Sequence, residues 1–157
     1  MGINEVIQLI AATLGSLGFS VLFNIKGKKL IGVTLGGFIG WLAYVIYSML
    51  MLNDTLCYFL AAVTISIYAE IMARVMKCPV TVIIAPSLIP LVPGASLYYT
   101  MSHALSQDTD SFLTSALTTV IAAAALAVGI ITGTILTKLI TSINSRIKSK
   151  LKKHEHK

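Results

Sequence analysis

The stretch Cys78-Pro-Val-Thr-Val-Ile-Ile-Ala-Pro-Ser-Leu-Ile-Pro-Leu-Val-Pro-Gly-Ala-Ser-Leu-Tyr-Tyr99 decides how this chain is read. It is apolar enough to sit in a bilayer, yet it carries all four prolines of the protein, Pro79, Pro86, Pro90 and Pro93. Proline inside a helix removes a backbone donor and clashes with the carbonyl four residues earlier. It also pushes the preceding residue away from helical geometry. Pro86, Pro90 and Pro93, followed by Gly94, therefore predict a broken helix. Lipid tolerates no unpaired backbone polar groups, so broken backbone at membrane depth is buried in protein or lines a wet cavity. Interrupted apolar segments of this kind point to substrate sites in transporters. A structural kink, or a hairpin that only packs, is the other reading these residues allow.

Around this stretch the composition is that of an integral membrane protein. Of 157 residues, 56% are hydrophobic and 11% charged, with a mean hydropathy of +0.87; soluble domains carry about a quarter charged residues. The expected fold is an all-α bundle of about five transmembrane helices, the fourth broken by prolines. The spans are expected at residues 3–25, 30–52, 55–75, 79–102 and 112–140, each long enough for a hydrocarbon core of ~30 Å. Residues 103–111 read as a polar loop and residues 141–157 as a basic cytoplasmic tail. Within the tail, Ile143, Ile147 and Leu151 recur every four residues among lysines, a pattern suited to an anionic leaflet. Residues 1–5 lack the positive segment of a signal peptide. Cys57 and Cys78 have neither metal-site nor disulfide-framework spacing.

Charge placement orients the bundle. With five crossings and the N-terminus outside, the inner face receives Lys26, Lys28 and Lys29, then Arg74 and Lys77, then Lys138, Arg146, Lys148, Lys150, Lys152, Lys153 and Lys157. Those are all twelve Lys and Arg of the chain, as the positive-inside rule asks. The outer loops hold Asp54, Asp108 and Asp110. A re-entrant proline segment would instead put the basic tail outside.

Gly32, Gly36 and Gly40 share one face of the second span, and Gly129 and Gly133 share one of the last. Such spacing lets helix backbones approach closely in lipid. These faces serve packing within the chain or leave room for a partner, a homo-oligomer included. Glu70 lies about 10 Å along the helix from Lys77, inside the hydrocarbon, where an acid is a functional candidate. Arg74, four residues on, makes a structural ion pair the competing reading. Asn24 could hydrogen-bond backbone freed by the prolines, or cap its own helix. Tyr98 faces a cavity or joins an interfacial aromatic belt, and Trp41, Tyr44 and Tyr47 read as ordinary packing. The His154 and His156 pair reads as solvated tail. No enzymatic, cofactor, metal or nucleic-acid motif is present, so the chain reads as a non-enzyme.

The segment Pro86-Ser-Leu-Ile-Pro-Leu-Val-Pro-Gly94, followed by Tyr98, resembles the threonine/serine exporter family, and most nearly its small YjjB-like subunit. Gly18-Phe19-Ser-Val-Leu-Phe23-Asn24, Glu70-Ile-Met-Ala-Arg74 and Cys78-Pro79 agree with the same pattern. The resemblance covers nearly the whole chain. It implies export of small carboxylate-bearing metabolites, threonine and serine or succinate-like dicarboxylates, coupled to the proton gradient. It also implies a bacterial plasma membrane and a larger partner subunit. The resemblance supplies no list of binding residues; on the prolines and the buried acid themselves, the substrate path or binding site is expected to involve Glu70, Arg74, Pro86, Pro90, Pro93, Gly94, Tyr98 and Asn24. A non-transporting scaffold that stabilises a partner through its glycine faces is the alternative function.

Overall fold

The computed structural model describes the backbone of residues 2–50 and 53–155, and the side chains of residues 2–50 and 53–143. Its regular structure is helical: α1 (Ile3–Leu22), α2 (Lys28–Leu50), α3 (Asp54–Val75), α4 (Val80–Leu88), a 3-10 turn (Ile89–Leu91), α5 (Gly94–Leu105) and α6 (Thr109–Glu155). Among the described residues four helices are long and apolar enough to cross a membrane, α1, α2, α3 and the Thr109–Ile143 part of α6. A fifth crossing is available if the bent pair Val80–Leu91 and Gly94–Leu105 forms one span.

Three helices end in the same way. Asn24, Lys77 and Gln107 have φ of 57°, 49° and 57° just past α1, α3 and α5. The next amide in each case reaches back to close the last turn: Ile25 to the Ser20 carbonyl, Cys78 to Ala73 and Asp108 to His103. This is the left-handed stop that exposed helix carbonyls favour, and Asn tolerates it better than most residues. It ends α1 at Leu22 instead of Ile25, although Ile25 still folds back into the core at 8% exposure. It also shortens the expected polar loop to residues 106–108, because α5 runs on to Leu105 and α6 begins at Thr109. The Asp108 carboxylate accepts from the Ser111 amide at 3.2 Å, so the sixth helix starts earlier than apolarity suggested. Nor does α6 stop at Ile140; its backbone stays helical to Glu155, through most of the expected tail. The end of the second expected span at residues 51–52, and the side chains of Ile147, Leu151, His154 and His156, lie outside the described residues.

Glycines set the spacing of the bundle. A methyl group on Gly32, Gly36 or Gly40 would collide with Met76, Ser87 or Ile65 respectively. One on Gly129 would stand 2.6 Å from the Phe59 carbonyl, and one on Gly133 2.6 Å from the Ser66 Cβ. Both glycine faces are thus occupied within the chain. The register they fix also gives direction. Gly129 meets Phe59, Gly133 meets Val63, and Arg74 donates to Thr141, so α3 and α6 run parallel. The segment between them must return across the bundle, which is what a crossing, rather than a re-entrant, proline segment does.

Two apolar clusters hold the body together. Ile25, Val33, Ala69, Ala73 and Ile83 form one, and Ala61, Ala62, Ile65, Leu91 and Leu126 the other. The second places the end of the 3-10 turn against the middle of α3. Beyond it the chain bends by 55°, and α5 packs chiefly along α6 with none of its residues buried. Phe59 is near the start of α3, so the first ~15 residues of α6, roughly 22 Å, reach past α3 with α5 beside them.

Candidate functional site

The proline segment meets α1 along one seam. On α4 and the turn after it, Val82, Pro86 and Pro90 recur every four residues and share a face. On α1, Gln8, Ala12, Ser16 and Ser20 do the same. Pro86 cannot donate to the Val82 carbonyl, nor Pro90 to the Pro86 carbonyl, so two backbone acceptors on this face lack their usual helical donors.

Along the seam lie two clefts. One, of about 220 Å³, is lined by Phe23, Ile25, Thr81, Val82, Ala85 and Pro86, at the C-terminal end of α1. The other, of about 270 Å³, is lined by Gln8, Ala11, Ala12, Trp41 and Pro90, in the N-terminal half of α1 and at the helix break. Among the described residues no charged side chain lines either one.

A plug of small polar residues separates the two. Ser16, Ser20 and Ser87 are fully buried. The hydroxyls of Ser16 and Ser87 both donate to the Val33 carbonyl, at 3.3 and 3.0 Å, and so tie α1, α2 and α4 at one acceptor. The Ser20 hydroxyl turns back to the Ser16 carbonyl at 2.6 Å. Gly36 and Gly37 on α2 make room, for Ser87 and Ser16 respectively. On the far side of Gly36, the Tyr68 hydroxyl donates to the Gly32 carbonyl at 2.7 Å. Neutral hydrogen bonds of this kind contribute about 0.5–1.5 kcal/mol each. The plug is therefore closed but not locked.

Trp41, at the break, carries the one buried side-chain polar atom without a partner among the described residues, its Nε1. Buried indole N–H groups normally find an acceptor, and leaving one unpaired costs about 1–3 kcal/mol. The ring is held by Tyr44, with centroids 5.2 Å apart, and Tyr44 by Tyr58 at 4.9 Å.

The structure brings only part of the expected constellation to the seam. Pro86 and Pro90 line it. Pro93 stands just before α5, and Gly94 is that helix's first residue, with open space where a side chain would go. Tyr98 is 68% exposed on α5 and packs edge-on to Tyr99. Asn24 sits in the stop after α1. Glu70 is buried, 3.4 Å from Arg74; Arg74 also donates to Thr141 of α6. Ser66 packs against Gly133 one turn before Glu70, so the acid and its partner belong to the contact between α3 and α6. Gln8, Ser16, Ser20, Ser87 and the donor role of Trp41 went unread in the sequence. The signal for them was the four-residue spacing of Gln8, Ala12, Ser16 and Ser20 in an otherwise apolar helix.

A seam of two uncharged clefts beside a proline-broken membrane helix suits passage of a small solute. No curated protein and no solved structure matches the chain. The family model for the threonine/serine exporter, ThrE, matches residues 8–136, which is most of the chain and includes every residue of both clefts, so this multi-pass membrane protein belongs to that family.

Proposed function

We propose that the chain is the small membrane subunit of a secondary exporter, and that small carboxylate-bearing metabolites leave the cytoplasm along the α1–α4 seam. The carrying observation is the pair of clefts at opposite ends of one seam, divided by the serine plug. With the N-terminus outside, the cleft at Phe23 and Thr81 opens to the cytoplasm and the cleft at Gln8 and Trp41 to the outer side. Small shifts of α4 against α1 would open one while the plug closes the other. Both clefts are shallow grooves on the body of a single chain, which supports a second membrane subunit as the missing wall. The glycine faces are already filled by contacts within the chain, and this counts against a scaffold that works through them.

Threonine, serine and succinate-like dicarboxylates are the solutes to test, and coupling to the proton gradient belongs to the same reading. Glu70 has no place on the seam. We assign its pair with Arg74 to holding α6 against α3. In the experiment, proteoliposomes loaded with labelled serine, threonine or succinate are followed for efflux, with this chain alone and with the larger subunit. Efflux that needs both chains and collapses with the proton gradient supports the reading. A stable complex that exports none of the three contradicts it. Glu70→Gln tests the acid separately: lost efflux with normal insertion and stability would make Glu70 a proton carrier after all.

A further inference from the structure

We infer that Trp41 and Gln8 form the polar subsite that receives a carboxylate oxygen of a small, net-neutral solute, and that this pair sets which solutes the chain accepts. The inference rests on the seam as the transport path. The cleft at the break offers only three kinds of surface: the apolar walls of Ala11, Ala12 and Pro90, the carboxamide of Gln8, and the indole of Trp41. An indole N–H donates and cannot accept, whereas a carboxamide does both. Among the described residues the Nε1–H of Trp41 is buried with nothing to donate to, while Trp41 itself is only partly buried. A ligand oxygen that enters the cleft and draws the indole toward it satisfies that donor. Gln8, exposed on α1 across the cleft, supplies a second N–H.

The same wall fixes the charge of the ligand. A zwitterion brings its own counter-charge and needs only neutral donors at its carboxylate. A dicarboxylate would enter with two negative charges and meet no cation among the described residues of this wall, and burying unpaired charge is strongly unfavourable. Arg74 cannot serve, being engaged by Glu70 and Thr141 at the contact between α3 and α6. On this chain's side of the cleft the described residues offer neutral donors and no basic side chain, and that wall favours an amino acid over a dicarboxylate.

Trp41 is the single tryptophan of the chain, so its indole N–H gives one resonance in a nitrogen-15 spectrum. The test titrates the purified complex of the full chain with the larger subunit in lipid nanodiscs, only this chain carrying nitrogen-15, with L-serine, L-threonine and succinate. The expected result is a saturable downfield movement of the indole proton with either amino acid and none with succinate. Gln8→Ala, at an exposed position, should weaken that titration about tenfold and leave the unliganded spectrum in place. The inference is overturned if the indole resonance stays fixed under a solute that the same preparation exports in proteoliposomes, or if succinate moves it as serine does. Export that persists unchanged in Trp41→Phe overturns the subsite and leaves the seam standing. A flat titration with no export of any of the three overturns both.

Discussion

A methyl group at Gly36 would overlap the Ser87 hydroxyl and stand 3.0 Å from the Tyr68 ring. At Gly94 a methyl group would meet nothing within 4 Å. The two glycines look alike in the sequence and do different work. Gly36→Ala should lower stability by about 1–3 kcal/mol, the usual cost of overpacking, and should reduce export by prising α4 from α2. Gly94→Ala should leave unfolding in detergent unchanged. Ser87→Ala is the milder probe. It removes one of two bonds to the Val33 carbonyl, so a loss of about 0.5–1.5 kcal/mol is expected, with faster leak through the seam if the plug gates it. Asn24 belongs with structure at this scale: its φ of 57° makes Asn24→Gly tolerable, and export should survive it. The sequence offered both roles for Asn24, and the backbone chose between them. Such choices are hard to read in advance, because a left-handed residue looks like any other until the helix around it has ended.

The broken element was the most legible part of the chain, since four prolines in an apolar run allow few outcomes. What they did not reveal was where the bend falls. Pro86 is accommodated inside α4, and the 55° turn comes only after Pro90, where Pro93 and Gly94 open α5. Pro90→Ala with Pro93→Ala returns two backbone donors and should straighten the segment, which would close the cleft beside Trp41 and abolish export without unfolding the bundle. Circular dichroism together with efflux checks both halves of that expectation. The start of α6 gives a pH prediction. Hydrogen bonds from the Ser111 side chain and amide hold the Asp108 carboxyl below its ordinary value of 3.8. A lowered carboxyl pKa stabilises above the ordinary value and stops doing so as the pH falls through the lowered one. First-turn amides of α6 should therefore exchange faster only in strong acid, and Asp108→Asn should remove that dependence while keeping the cap.

At the scale of the molecule, charge placement and span count read as a five-crossing layout, and the parallel run of α3 and α6 is a separate geometric reason for an odd number of crossings. The site was less legible. Buried acid and exposed tyrosine drew attention because they are chemically conspicuous in an apolar chain; neither Glu70 nor Tyr98 is among the residues that line the two clefts. The seam is built from serine, alanine, proline and one glutamine, residues whose significance comes from a shared face and not from their chemistry in isolation. The most direct test of the seam as a path is sided thiol labelling of Ala11→Cys and Ala85→Cys, each in a chain with Cys57 and Cys78 replaced by alanine and with the partner subunit present. A membrane-impermeant maleimide should reach position 11 only from outside and position 85 only from the cytoplasm, with transported serine slowing both. Labelling of both positions from one side, or no effect of serine on either, would contradict the account.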